Sequence, residues 1–293
     1  MGLVGAGPWG HLFTGPMLAG SPDVSFVGVW ARRPEAAREL AAAHEVSAYE
    51  DLDALFADVD AVTFSVPPSV QAELASKAAR TGLAVLLDKP IGANVTEAEA
   101  LADAIDEAGV VSQVILTNRY FDAMRSFLDE ARTFDSYGGR ATFFGDGCVP
   151  GTYFATPWRV ADGGLLDLGP HVLDTLDAAL GPIVEIKARG DVHRLVLLEC
   201  EHEDGRISQA ALSATSQQAG GLMAEVHGLD GKRSFDASAF TSEQTAAEFA
   251  TAHRRIPAEF AAAVASGVPH ELDVHRGLLL QRLIDDAAAQ LRH

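Results

Sequence analysis

At 293 residues the chain is long for a single domain, and two domains are expected. With 22 Lys and Arg against 41 Asp and Glu it carries a formal charge of −19, which opposes nucleic acid and anionic membranes as partners, since both require a basic surface. A content of 48% hydrophobic and 22% charged residues is that of an ordinary globular protein, and two cysteines, Cys148 and Cys200, exclude a disulfide framework or a thiolate metal cluster.

The first ten residues run from a short apolar stretch into Gly5-Ala6-Gly7-Pro8-Trp9-Gly10. This is the G-x-G-x-x-G pattern of a dinucleotide turn. Gly5 makes the turn, Gly7 admits a pyrophosphate and Gly10 lets helix and strand pack. Pro8 suits a first helical turn, where its missing amide has no intrahelical partner, and Trp9 sits in the same turn. Phosphates are then held on the helix N-terminus, where free amides and the macrodipole favour anions. No basic region precedes an apolar core here, and no apolar run reaches bilayer length, so a cytoplasmic protein is expected.

Residues 24–30 read as a second strand, apolar almost throughout as a doubly buried parallel strand should be. An NAD-binding fold usually ends this strand with Asp or Glu, for the ribose hydroxyls. Here Ala31-Arg32-Arg33-Pro34 follows. A neutral residue and two guanidinium groups suit a 2′-phosphate, so NADP is favoured over NAD, the plainer alternative being two solvated arginines opening helix 34–43.

The alternation continues through a helix at 51–57, a strand at 61–66 ending near Ser65, and the turn Pro67-Pro68. Then come a helix at 70–81 and a strand at 83–87. Helix 96–108 is expected to use Thr96 as N-cap with Glu99 completing a capping box, with Gly109 as its stop. A last strand spans 110–116. Such alternation implies a parallel sheet wound on both faces, with ligands at the carboxyl ends of its strands. Ser65, Pro67 and Pro68 lie at one such end. Asp88-Lys89-Pro90 lies at another, and a lysine there is costly unless it is used or paired.

Beyond residue 117 the pattern changes. Thr117-Asn118-Arg119-Tyr120 leads into a helix to about residue 132, and then strand signals dominate at 140–144, 183–189, 195–201, 206–213, 222–227 and 233–236. Asp204-Gly205 and Asp230-Gly231 predict type I′ hairpins. The Glu201–Asp204 stretch has metal-ligand residue types but reads as a solvated turn, and the Gln217-Gln218 pair reads as a loop. Residues 246–266 and 273–291 predict closing helices. The segment Gly163–Asp174, if helical, puts Asp167 and His171 on one face with Asp174 nearby. A carboxylate beside an imidazole holds one tautomer and tunes its basicity; the bland alternative is an amphipathic helix whose histidine caps a buried carboxylate.

In this order, G-x-G-x-x-G, Pro67-Pro68, Asp88-Lys89-Pro90, Asn118-x-Tyr120-Phe121, Trp158-Arg159, Gly163-Gly164 and Asp167-x-x-x-His171-x-x-Asp174, the chain resembles the glucose–fructose oxidoreductase, inositol dehydrogenase and MocA (Gfo/Idh/MocA) family. The resemblance implies an α/β Rossmann dinucleotide-binding domain (residues 1–117) followed by an α+β domain (118–293) with an open, mostly antiparallel sheet, whose C-terminal helix packs back on the first domain. It implies an NADP- or NAD-dependent oxidoreductase acting on a sugar, cyclitol or related polyol, as a homodimer or homotetramer. Lys89, Asp167 and His171 fall on the family's catalytic positions. Gly5, Gly7, Pro8, Trp9, Gly10, Arg32, Arg33, Ser65, Pro67, Pro68, Asp88, Lys89 and Asn118 are expected at the cofactor. Arg119, Tyr120, Trp158 and Arg159 are expected to line the substrate pocket with Asp167 and His171. Gln71 stands where the family often has a histidine. Two other functions remain open on this fold: an NAD-dependent glycoside hydrolase and a non-catalytic cofactor sensor.

Overall fold

The computed structural model describes residues 1–217 and 220–291. Gln217 lies in a turn; Gln218 is outside the described residues. The chain forms two compact units, Met1–Leu116 with Ala252–Gln281, and Thr117–Thr251 with the residues from Arg282 onward.

Unit 1 is a six-stranded parallel sheet. Its elements run β1 (Gly2–Val4), α1 (Gly15–Ala19), β2 (Gly28–Trp30), α2 (Pro34–Ala43), β3 (Ser47–Tyr49), α3 (Leu52–Ala57), β4 (Ala61–Phe64), α4 (Pro68–Arg80), β5 (Ala84–Asp88), α5 (Val95–Ala108) and β6 (Ser112–Ile115). The strand order β3-β2-β1-β4-β5-β6 reverses between β1 and β4, and every pairing is parallel. Helices on both faces explain why β4 is buried at all four of its positions. The sheet has one strand more than the sequence suggests, because β3 is short, largely exposed and polar. β2 begins later than expected, although Val27 still accepts from the Ser47 amide and donates its own to Met1 O.

Two local predictions are corrected. Helix α5 is capped by Asn94, not Thr96: Asn94 Oδ1 accepts from the Glu97 amide at 3.0 Å, while Glu97 reaches back to the Ala93 amide at 2.9 Å. The reciprocal pair is thus displaced by two residues, with Gly109 ending the helix at φ 63° as anticipated. The first helix is also irregular. Residues Gly10–Thr14 form a π-turn in which the Gly15 amide donates to Gly10 O. Pro16, one residue on, has no amide to offer Leu12, so a regular α-ladder cannot pass this point.

The edge of β6 is covered by chain from the C-terminal region. Val114 donates to Leu272 O at 2.6 Å, and Ser112 Oγ accepts from the Val274 amide at 3.0 Å. An edge that would otherwise invite pairing is thereby satisfied within the unit.

Unit 2 opens with a 3₁₀ turn at Thr117–Tyr120, then α6 (Asp122–Thr133), β7 (Ser136–Phe144), α7 (Pro157–Leu180), β8 (Ile183–Gly190), β9 (Val196–His202), β10 (Ile207–Ser213), β11 (Leu222–Gly228) and β12 (Gly231–Asp236). Helices α8 (Ser242–Ser266) and α9 (Val274–Leu291) close the chain. The sheet order is β12-β11-β7-β10-β9-β8, antiparallel except for the β7–β10 pair. Burial alternates strictly along β9, so one face carries the core and the other is open. Glu248 of α8 accepts from the amides of Asp122 and Ala123, placing a carboxylate at the N-terminus of α6, where the helix dipole favours it.

The hairpins fall where Asp-Gly predicts, but not with type I′ geometry. Only Gly205 (φ 81°) and Gly231 (φ 105°) take positive φ; both aspartates keep negative values. His202 is a second correction. It is not in a solvated turn but buried at the end of β9, with Nδ1 2.6 Å from Gly181 O and Nε2 2.9 Å from Ser208 Oγ. It is a core histidine held by two polar neighbours.

On the open face, Glu225 is almost fully covered by the groups it binds: Lys232 Nζ at 2.6 Å, Arg140 Nε at 2.5 Å and His227 Nε2 at 3.1 Å. The Lys232 hydrogen bond above all, with Arg140 and His227, holds its carboxyl down at about 2 against an ordinary 4.5. A carboxyl whose folded-state value is depressed stabilises the fold fully above about 4.5 and loses that contribution as pH falls toward 2. Denaturant midpoints measured through this acid window should fall steeply in the wild type, and Glu225→Gln should flatten that part of the profile.

Candidate active site

The carboxyl ends of unit 1's strands gather the first group of candidate residues. Gly5 follows β1 with φ 108°, and a side chain there would run into Ser65 O. Its amide donates to Trp30 O at 2.7 Å and the Ser65 amide donates to Val4 O at 2.8 Å, so the turn is tied to both neighbouring strands. Around Gly7 the space is open: a Cβ there would meet only Ser65 O, at 3.6 Å. The cradle is therefore bare backbone at the point where strand order reverses, and it fits a pyrophosphate. Ser65 Oγ donates to Thr14 Oγ1 at 2.9 Å, bridging the end of β4 to the first helix. Trp9 stacks on Phe13 with ring centroids 4.5 Å apart, beside Pro8 and Gly10 in the opening turn. Pro67 is the N-cap residue of α4, and Pro68 is its first residue.

At the end of β2, Ala31 is buried, while Arg32 and Arg33 are exposed. Neither arginine's side chain makes a hydrogen bond or ion pair among the described residues, although Arg33 O accepts from the Ala36 and Ala37 amides. Pro34 starts α2 immediately after them, as predicted. At the end of β5, Asp88 and Lys89 are half-buried, and Asp88 Oδ1 accepts from the Lys89 amide at 2.9 Å. Gln71 was visible in the sequence only as the residue in place of a histidine. It is in fact buried in α4 with its amide against this turn, a contact no local pattern signals because its partners are backbone groups.

The second group belongs to unit 2. Helix α7 breaks at Gly163, whose φ of 75° and ψ of −168° are open to glycine alone. A side chain there would also collide with Val192 O, while the Gly164 amide donates to that same carbonyl at 2.8 Å. The break redirects the helix so that its second part, carrying Asp167 and His171 one turn apart, is buried. Arg159, in the first part, reaches forward: its Nε donates to Asp167 Oδ1 at 3.1 Å. The guanidinium also lies 4.5 Å over the Trp158 ring and 3.4 Å from Thr156 Oγ1. Trp158, Arg159 and Asp167 are thus brought together. His171 packs near Phe143, ring centroids 5.8 Å apart, and its backbone carbonyl accepts from Thr175 Oγ.

Three of these residues are deeply buried. Asp174 accepts from Arg119 Nη1 through both carboxylate oxygens, at 3.0 and 3.1 Å, with each side chain almost fully buried. Arg119 was expected to line the substrate pocket. The buried ion pair ties the 3₁₀ turn to α7, and removing either partner would leave an uncompensated charge. Tyr120, expected beside it, is completely buried in the core. Asn118 stays half-buried in the 3₁₀ turn, its carbonyl accepting from the Phe121 amide.

Among known proteins, a dTDP-3,4-didehydro-2,6-dideoxy-α-D-glucose 3-reductase of Streptomyces violaceoruber is 30% identical over 194 residues, 61% of this chain and 53% of the reductase. An inositol 2-dehydrogenase of Rhizobium meliloti (strain 1021) is 30% identical over 136 residues, 45% of this chain and 41% of that protein. The chain spans about half the length of the curated relatives it matches. Among solved structures, GenD2 from gentamicin A biosynthesis, in complex with NAD, aligns with a TM-score of 0.84 at 22% identity, covering 99% of this chain and 93% of that one. The apo scyllo-inositol dehydrogenase of Lactobacillus casei aligns with a TM-score of 0.82 at 16% identity, covering 99% and 95%. At these identities the likeness is one of fold. Residues 1–116 match the model of the Gfo/Idh/MocA oxidoreductase family with its NAD-binding Rossmann fold.

Proposed function

We propose that the protein is a nicotinamide-dependent oxidoreductase that interconverts a hydroxyl and a keto carbon on a sugar, cyclitol or similar small polyol. The observation that carries this reading is the shared edge of unit 1's sheet: the bare glycine cradle after β1 and Lys89 after β5 both lie at strand carboxyl ends. The names of the relatives, a sugar-nucleotide reductase and an inositol dehydrogenase, support the substrate class.

The glycine turn and the first helix would hold the dinucleotide, with Ser65 and the Pro67-Pro68 turn beside it. When bound, the nicotinamide supplies the hydride chemistry. Lys89 Nζ donates a hydrogen bond to the substrate oxygen and stabilises it as alkoxide character grows. The imidazole of His171 takes the hydroxyl proton during oxidation and returns it during reduction. Asp167, anchored by Arg159, orients that imidazole from one helical turn away. Trp158, backed by the Arg159 guanidinium, offers substrate an apolar wall.

Arg32 and Arg33, without a neighbouring carboxylate at Ala31, favour a 2′-phosphate. NADP(H) should bind at least tenfold tighter than NAD(H), about 1.4 kcal/mol. Fluorescence titration of both cofactors tests this: Arg32→Ala should weaken NADP(H) and leave NAD(H) nearly unchanged, and equal wild-type affinities would refute the phosphate fork. On a substrate found by screening polyols and sugars against NADPH absorbance, Lys89→Ala or His171→Ala should lower turnover roughly 100-fold or more. Cofactor affinity should change far less, and near-normal turnover in both variants would move the chemistry elsewhere. The open face of unit 2's sheet exposes Leu197, and Tyr137 and Ile207 line a cavity of about 550 Å³ there, which supports a homodimer or homotetramer built on that face. Light scattering on a sizing column should show Ile207→Asp shifted toward monomer; an unchanged mass would put any interface elsewhere.

A further inference from the structure

Gln71 is 1% exposed, and its side-chain amide is spent on one short stretch of backbone. Nε2 donates to Asp88 O at 2.7 Å and to Pro90 O at 3.2 Å, while Oε1 accepts from the Asp88 amide at 2.8 Å. The residue between those carbonyls is Lys89. Its own amide is held by Asp88 Oδ1 at 2.9 Å. The backbone is thus fixed on both sides of the lysine.

The sheet explains why a side chain is needed there. β5 pairs with β4 only as far as Leu86, opposite Thr63, whereas its pairing with β6 runs on to Asp88, opposite Ile115. Past Leu86, polar backbone on the β4 side has lost its strand. A carboxamide offers the same donor and acceptor as a peptide group, and Gln71 extends the ladder after β4 has ended. The Gln71 amide in turn donates to Pro67 O at 2.9 Å, which ties α4 to the Pro67-Pro68 turn. An apolar residue of equal size would fill the same space and leave Asp88 N–H, Asp88 C=O and Pro90 C=O without it.

We propose that Gln71 is a positioning residue for Lys89: by replacing the missing strand it sets the backbone from which the ammonium is presented. This rests on the reading of Lys89 as the group that binds the substrate oxygen, and the experiment separates the two. The lysines of the chain are Lys77, Lys89, Lys187 and Lys232, so reductive methylation with ¹³C-formaldehyde gives few dimethyl-lysine NMR resonances, that of Lys89 being assigned by its loss in Lys89→Arg. In Gln71→Met, matched in volume but without the amide, the Lys89 resonance should shift or broaden and titrate differently, while the other lysine resonances stay in place. In unmethylated enzyme, turnover should fall at least tenfold, with KM for the cofactor changed less than threefold. Gln71→His, with one ring donor and one acceptor, should recover most of both. If Gln71→Met does not fold, Gln71→Asn, whose amide is drawn back by one carbon, carries the same readings. A Lys89 resonance and titration unchanged in a folded variant, or all lysine resonances disturbed alike, would overturn the proposal. A displaced Lys89 resonance with unchanged turnover would uphold the positioning and remove Lys89 from the chemistry.

Discussion

A parallel strand buried on both faces has no room for polar chemistry along its length. In unit 1 that constraint pushes every candidate group to the strand ends: the glycine turn after β1, the arginines after β2, Ser65 after β4 and Lys89 after β5. The strands are short, so the turns just past three of them are tied down by hydrogen bonds to neighbouring elements. Trp30 O and Val4 O hold the turns after β1 and β4, and Gln71 holds the one after β5. Placing polar groups at these ends avoids burying them in the sheet, where an unmatched one would cost several kcal/mol.

Unit 2 solves the opposite problem. Its sheet is covered on one face, so charge is tolerated on the other, and a whole network of Arg140, Glu225, His227 and Lys232 sits there. Beside the covered face, two buried carboxylates of α7 are each matched by a guanidinium. Arg119 with Asp174 and Arg159 with Asp167 are both guanidinium–carboxylate contacts to α7, one turn on either side of His171. The two pairs differ in consequence. The first is almost fully buried and fixes where the 3₁₀ turn meets α7. The second has its arginine partly exposed and stacked on Trp158.

What could be read from the sequence follows the range of the interactions involved. The Gly5–Gly10 turn, the α2 start at Pro34 and the stop at Gly109 were legible because each is a backbone demand written in adjacent residues. The cap of α5 was misplaced by two positions because Asn94 and Thr96 are both good caps with a glutamate three residues on, and only folded geometry chooses between them. The π-turn needed the effect of Pro16 to be traced back through the hydrogen-bond ladder. Arg119 and Asp174 lie 55 residues apart, and no local pattern pairs them. His202 was misread because Glu201 and Glu203 beside it are exposed; alternation along β9 turns the histidine inward. Gln71 left the least trace of all, since peptide groups, its partners, occur everywhere in a chain.

The strand order adds a last consequence. In β3-β2-β1-β4-β5-β6 the arginines end a strand on one side of the reversal and Lys89 ends a strand on the other. On the proposed reading, charge at the end of β2 would act on the adenosine side of a dinucleotide laid over the reversal, whereas the turn after β5, two strands beyond β1, would lie on the nicotinamide side. Over such a distance surface charges are substantially screened at physiological salt. If the proposed roles hold, substitutions at Arg32 or Arg33 would retune which dinucleotide binds without moving Lys89, and changes around Gln71 would retune the lysine without altering the arginines. The proposed cofactor preference and substrate chemistry would then be separable, because the topology places the arginines and Lys89 on different strands of one sheet edge.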